Sequence, residues 1–425
     1  MTRKAEVFMD HFQLQNGVYL HVHPLNKYRT VAIQVSFSMP LSAGRRPYAL
    51  LCSLLLDSCE KYSEKLLVQK RLDELYGASF LVDSKPVGGL NRVRFSISGC
   101  DRESVKEDLL PDLFETISQF ILHPRLENGV FPDSMFEECR EQEIMTQRML
   151  TDDPFYFTGT LAAEAYGGNP ARRAAAKEDY LLSLTPADCV LAWRKMRDEA
   201  RIDINVLGNV DSREVLSLTE NMLAFAPRSV FIEAEQFHPA DVSTVSSIRD
   251  FPQVHVVQLY DTGLLGFDPM TPSLHLGNGI FGGLSTSLLF QNIREARGLC
   301  YSIDSAVMPS DGILRISSAV GPENLNALLE SIEEQVQKMK NREFSEEDVE
   351  LARRMYISSH LSALDTPGAM LEEDYRRAVF KGRRTTEELI EAFHKADRNT
   401  IAEAFADVTL KTTAIVGPGG NDVRE

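Results

Sequence analysis

No run of apolar residues reaches the length of about 18 that a membrane-crossing helix needs, so none is expected in this chain. Residues Met1 to Gln15 mix Arg3, Lys4, Glu6, Asp10 and His11 with short apolar pieces and lack the apolar centre of a secretory signal. The expected location is cytoplasmic. Basic charge is in deficit as well: 45 lysines and arginines against 62 aspartates and glutamates leave a net charge of −17. The basic residues are also scattered, so the counterion release that drives nucleic-acid binding has no footprint, and neither nucleic acid nor an anionic membrane is an expected partner. Cysteine is sparse, and Cys52, Cys59, Cys100, Cys139, Cys189 and Cys300 include no Cys-x-x-Cys pair, which favours reduced, mostly buried thiols over a disulfide framework or a metal site. Among the nine histidines only His21 and His23 lie within five residues of each other, and neither His-Glu-x-x-His nor His-x-x-Glu-His occurs. No helix can therefore present two imidazoles, one turn apart, to a single zinc ion.

What is present is an ordinary globular composition, 43% hydrophobic, 25% charged and 8% aromatic, in 425 residues. That length suits two or three domains or one domain duplicated. An internal repeat favours duplication. Gly77-Ala-Ser-Phe80-Leu-Val-Asp83-Ser84 and Gly298-Leu-Cys-Tyr301-Ser-Ile-Asp304-Ser305 share glycine, an aromatic residue, a β-branched residue or its neighbour, and Asp-Ser at one offset, 298 − 77 = 221. Glu74 and Glu295 keep that offset, as do Arg94 and Arg315. Strand-like runs follow the same order in both halves: Val31 to Phe37 and Val254 to Tyr260 near the start, Ile204 to Gly208 and Ala414 to Gly417 at the close. Ser134-x-x-Glu137 and Ser345-x-x-Asp348 read as capping boxes. These signals place an N-terminal domain over 1–221, a linker over 222–249 marked by Pro227, Pro239 and the Ser/Thr cluster at 243–247, and a C-terminal domain over 250–425. Paired strands followed by helices predict an α+β fold, each domain a mainly antiparallel sheet with helices packed on one face. Two such domains facing each other would enclose a cavity, where sites tend to form.

Several patterns invite a chemical reading beside a plainer one. His21 and His23 share a face if Val18 to Pro24 is a strand, and a half-exposed strand face accounts for them better than a metal. Gly277-Asn-Gly279-Ile-Phe-Gly282 matches the dinucleotide fingerprint literally, yet the preceding Pro272 to Leu276 looks helical and no acid follows at a strand end, so nicotinamide or flavin binding is disfavoured. Cys52 and Cys59 lie in and after an apolar run with no base nearby and read as core thiols. The acidic stretch Phe136 to Glu143 reads as a solvated helix face. The segment from Phe281 to Tyr301 is more suggestive. Its glycines and hydroxyls precede a helix that ends at Arg297 with Gly298 as its cap, so that Arg294 and Tyr301 can project to one side and donate to a carbonyl oxygen or its developing oxyanion.

The two-unit α+β organisation, together with Gly-Gly-Leu-Ser-Thr-Ser-Leu-Leu-Phe-Gln-Asn-Ile-Arg-Glu-Ala-Arg-Gly-Leu-Cys-Tyr over 282–301, resembles the insulinase/pitrilysin zinc peptidases, the inverzincins. It looks most like their mitochondrial-processing-peptidase branch. The resemblance covers nearly the whole chain and assigns Arg294, Tyr301, Gly282 and Gly283 to substrate binding, the first two assisting catalysis. It also exposes a departure. The family's His-x-x-Glu-His falls on Ala49-Leu-Leu-Cys52-Ser53, its later glutamate ligand on Thr146, and the Asn-Ala pair of its substrate-facing strand on Leu81-Val82. Because some family enzymes divide their duties between two chains, the resemblance implies a zinc-less, non-catalytic subunit, with no cofactor of its own, that lends Arg294 and Tyr301 to a zinc-bearing homologous partner acting on a peptide. When alone, such a chain is expected to be inactive and to have its own copy as a possible partner. The alternative is a peptide-binding or assembly scaffold with no peptidase role. An independent enzyme using Cys52 or Cys300 lacks a base.

Overall fold

The computed structural model describes residues 9–40, 46–167, 178–229, 241–266, 268–380 and 384–418. They form two compact units, each built on one sheet. In the first unit, β1 (Asp10–Gln15), β2 (Val18–Pro24), β3 (Thr30–Pro40), β4 (Ser79–Val87), β5 (Leu90–Cys100) and β6 (Arg201–Gly208) lie in the order β1-β2-β6-β3-β5-β4. Every pairing is antiparallel except β2 with β6. The alternation in β3 sets its faces, because successive side chains point to opposite sides of a strand. Val31, Ile33, Val35, Phe37 and Met39 enter the core beneath the helices, where Leu50, Leu54, Phe114, Ile117, Phe120 and Trp193 are all buried.

The second unit carries β7 (Ser243–Ile248), β8 (Val254–Asp261), β9 (Cys300–Met308), β10 (Ile313–Val320) and β11 (Thr409–Gly417), in the order β7-β11-β8-β10-β9. Here too one pair is parallel, β7 with β11. Matching β2, β6, β3, β5 and β4 to β7, β11, β8, β10 and β9 gives one strand order in both units. Its core joins Val256, Tyr260, Leu274, Phe281, Ile316, Ile332, Phe393 and Phe405. The fold is thus α+β with two mostly antiparallel sheets.

Four features depart from the sequence expectations. The units are not continuous pieces of chain: the first takes 364–380 and the second takes 148–173. Helix Pro154–Tyr166 therefore lies on the second sheet, with Ala162 and Tyr166 packed against Val257, Leu259 and Ala414. Helix Pro367–Val379 lies on the first sheet, with Leu371 against Ala32 and Leu207, and with Tyr375 and Val379 against Val87 and Leu90. Each sheet thus has a helix on the face opposite its main core, where the alternation alone implied solvent. Second, the expected linker contains β7, because its Ser/Thr run is β-prone and finds the free edge of β11.

Third, the octamer repeat does not share one ladder register. Asp83 pairs with Arg94, whereas Asp304 pairs with Ser317 and Arg315 with Ala306. A bulge skips Tyr301, and the β9–β10 turn is longer than the Gly88-Gly89 turn. The resulting slip of two residues leaves every side chain on its original face. Fourth, helix Asp133–Asp152 already includes Ser134, and Glu137 pairs with Arg140 instead of capping. Ser345 and Asp348 do form the reciprocal box: Asp348 Oδ2 accepts from Ser345 N at 2.8 Å, and Ser345 Oγ accepts from Asp348 N at 3.1 Å.

Candidate functional site

The chain enters the Phe281–Tyr301 segment from helix Thr271–Asn278, widens into a π-helical turn at Gly279–Gly283, and widens again at Phe290–Glu295 before stopping at Gly298. Gly298 has φ +62°, a left-handed conformation that suits glycine, and its N–H donates to Arg294 O at 3.1 Å. This stop brings the two expected donors together. The Arg294 guanidinium carbon lies 4.4 Å from the Phe290 ring centroid and 5.7 Å from that of Tyr301. Tyr301 is 78% exposed at the bulged start of edge strand β9, and Arg294 is about one-third exposed, with a long ion-pair contact of 3.5 Å to Glu295. Gly282 and Gly283 are tightly packed. A Cβ on Gly282 would stand 2.4 Å from Ser305 Oγ, and one on Gly283 would stand 2.7 Å from Asn278 Nδ2. Their missing side chains let the segment close onto β9, where Ser305 donates to Asn278 at 2.7 Å. Gly277 and Gly279 pack equally tightly against Phe405 and Tyr356, inside a helix and not after a strand, which explains the literal fingerprint.

On the first unit, helix Arg46–Asp57 carries Ala49, Cys52 and Ser53, with Cys52 buried and the other two partly covered. Burial holds the Cys52 thiol far above its usual range, and the Asp83 and Glu143 carboxylates add to the shift. Thr146 is exposed and donates to Gln142 O at 2.9 Å within its own helix. A methyl group, a protonated thiol and two hydroxyls are not a donor set for zinc, so these residues do not fit that ion. Among the described residues no group of three or more His, Cys, Asp or Glu side chains gathers as a metal would require. Leu81 is exposed and Val82 buried on edge strand β4.

Residues 183–356 match the family described as the peptidase M16 inactive domain. Over 405 residues, 93% of this chain and 95% of the other, the chain is 25% identical to the "Probable inactive metalloprotease YmfF" of Bacillus subtilis. The chain is thus similar to M16 peptidases, inactive members included. An "Uncharacterized zinc protease" of Rickettsia felis is 26% identical over 330 residues, 72% of this chain and 74% of the other. In fold, the chain resembles a conserved protein of Enterococcus faecalis with a TM-score of 0.91 at 24% identity, covering 97% of this chain and all of that one. It also resembles a peptidase M16 inactive domain of Pseudomonas fluorescens with a TM-score of 0.80 at 14% identity, over 98% and 100% of the two chains. Among the described residues no helix is long and apolar enough to cross a membrane.

The sequence reading of His21 and His23 needs correction. Both are buried, because strand β2 turns that face toward other polar groups of the same unit. His21 Nε2 sits 3.1 Å from Asp203 and His23 Nε2 sits 2.6 Å from Asp374 on helix Pro367–Val379. The same face holds Arg92, fully buried, donating to Glu372 at 2.7 Å and lying 4.2 Å from the Tyr375 ring centroid, and Arg94, bonded to Asp83 and 3.9 Å from Glu372. On the second sheet, the corresponding face opens instead into a cavity of about 300 Å³ under helix Pro154–Tyr166, with Arg315 and Asp304 in its lining. Reading each half as a continuous domain hid both features. The available signal was the matched starts Asp153-Pro154 and Thr366-Pro367, each an N-cap whose side chain accepts from the backbone N–H three residues on.

Proposed function

We propose that this chain is the zinc-less subunit of a two-chain metallopeptidase, whose homologous partner binds zinc and cuts a peptide. The observation that carries this reading is the Arg294–Tyr301 pair, two strong donors held together at an edge strand, one of them largely exposed and neither required by the core. In this reading the Arg294 guanidinium donates to substrate carbonyl oxygens. The Tyr301 hydroxyl donates to the oxygen that gains charge as a peptide carbonyl is attacked, a role in which a preorganised donor is more effective than water. The exposed edges of β9 and β4 offer unpaired backbone groups to an extended peptide. Gly282 and Gly283 set the approach of the donor segment to β9. The chain alone binds no zinc and is inactive, and a cytoplasmic location and pairing with its own copy when the partner is missing belong to the same reading.

The test is to purify this chain and a zinc-bearing homologue separately, then assay peptide cleavage by each alone and by the mixture. Cleavage that appears or rises strongly only in the mixture supports the reading. A mixture no faster than the zinc-bearing chain alone leaves the scaffold without a peptidase role. Metal analysis of this chain after dialysis is expected to return no stoichiometric zinc.

A further inference from the structure

The cavity on the second sheet is distinct from the Arg294–Tyr301 site, and a comparison of the two units defines what it lacks. In the first unit Arg94 pairs with Ser36 across the ladder, and Ser36 with Asp203, five residues before Gly208. In the second, Arg315 pairs with Leu259, and Leu259 with Thr412, five residues before Gly417. The two arginines therefore occupy one position in one strand order. Over Arg94 lies a helix that starts at Pro367 and presents Glu372, five residues on. Over Arg315 lies a helix that starts at Pro154, and its residue five places on is Gly159. A Cβ built on Gly159 meets nothing within 4 Å. Of the two carboxylates beside the first arginine, Asp83 and Glu372, the helical one has no counterpart at the second, and a Cβ on Gly159 would enter open space.

Arg315 and Arg94 each have a buried Nε with no hydrogen-bond partner, but Arg94 has carboxylates beside it and Arg315 has no ion pair among the described residues. Leaving such a donor unsatisfied is costly unless something outside the chain supplies the acceptor. The cavity around it is lined by Phe155, Tyr156, Gly159, Asp304 and Ser317 among others. Asp304, whose carboxyl is raised above its usual range by burial against the opposing pull of Arg315, offers an acceptor to an N–H group. Phe155 and Tyr156 add aromatic surface.

We propose that this cavity binds the carboxyl terminus of a peptide, the terminal carboxylate meeting Arg315 as the Glu372 side chain meets the arginines of the first unit, and the last backbone N–H facing Asp304. The peptide as ligand class rests on the proposed function; the carboxylate site rests on the geometry alone. A guanidinium recognises a carboxylate through paired, charge-assisted hydrogen bonds, which separates an acid from its amide.

The experiment uses the full chain without any partner, so it does not depend on cleavage. Acetylated tripeptides ending in an aromatic or aliphatic residue are titrated calorimetrically as the free acid and as the carboxamide. The acid is expected to bind about ten- to a hundredfold more tightly than the amide. Arg315→Gln should remove that preference, and Gly159→Glu should abolish binding by placing a carboxylate in the cavity while the circular dichroism spectrum stays unchanged. Equal binding of acid and amide, no binding of either at millimolar concentration, or parent-like binding by Arg315→Gln would overturn the proposal. So would an amidated peptide with an internal glutamate that binds as well as the free acid.

Discussion

The covered faces of the two sheets have the same strand order, an arginine at the same position, and a helix that begins with a capped proline, but they reach opposite ends. In the first unit Asp83, Arg92, Arg94, Glu372 and Tyr375 pack against one another as ion pairs and a cation–π contact, with Arg92 among the largest fully buried side chains. In the second, Gly159 takes the place of the helical glutamate, and Arg315 keeps a buried nitrogen without a partner beside a cavity. The backbone frame is shared. The second arginine lacks both carboxylate contacts of the first: Gly159 stands at the helix position of Glu372, and the two-residue slip moves Asp304 out of the ladder position that Asp83 holds. A charge so deeply buried needs an opposite charge beside it, because an uncompensated charge out of water costs several kcal/mol.

The largest expected effect tests that contrast. Arg92→Leu leaves Glu372 short of a partner and should lower stability by about 3 to 5 kcal/mol in urea titrations, whereas Arg315→Gln should change it by less than about 1 kcal/mol. Similar losses at both positions would erase the distinction. Next come the exposed donors of the second unit. Arg294→Ala or Tyr301→Phe should cut turnover by the mixed heterodimer about 100- to 1000-fold, roughly 3 to 4 kcal/mol, while assembly and the partner's zinc are unaffected. Unchanged rates with the complex intact would leave the scaffold reading.

Smaller effects are expected at the glycines that stop matched helices. Gly77 and Gly298 have φ of +73° and +62°, so alanine at either should cost about 1 to 2 kcal/mol, alike in the two units. A much larger loss at Gly298 would show that the donor segment depends on more than its cap. The smallest effect is in acid. Glu372 is buried, which alone would raise its pKa, but the Arg92 charge and hydrogen bond and the Arg376 charge outweigh this and hold it below the usual range. Its stabilising contribution is fully present above about pH 4.3 and is lost as pH falls through its lower folded pKa. Asp304 is shifted the other way, so its contribution is present below about pH 3.9 and is lost as pH rises through its raised folded pKa. Between roughly pH 5 and 3, Glu372→Gln should therefore flatten the acid loss of stability and Asp304→Asn should steepen it, as read from urea midpoints.

Much of the arrangement was legible because it is local. The strand-like runs of β3 and β8, the terminal glycines of β6 and β11, the Ser345 box and the Gly298 stop each follow from residues within a few positions of one another. The spacing of Arg294 and Tyr301 belongs to the same class, since a capped helix running into a strand fixes where both project. Ser134 failed as a cap because the helix could begin one residue earlier, after Pro132, with its first hydrogen bond from Phe136 to Pro132. The burial of His21 and His23 could not be read from β2, since the polar groups that meet them, Asp203 and Asp374, arrive from far along the chain.

By itself, then, the sequence determined the α+β character, the recurrence of one strand order in two halves, the absence of a helical zinc motif and the pairing of Arg294 with Tyr301. Each rests on short-range periodicity, capping or spacing, which the chain carries wherever it folds. Only the tertiary structure decided that helix Pro154–Tyr166 covers the second sheet and helix Pro367–Val379 the first, and so which buried arginine meets a carboxylate. Such matches pair residues some 280 positions apart, as Arg92 and Glu372 are, and they are fixed by which apolar and charged surfaces can be removed from water together.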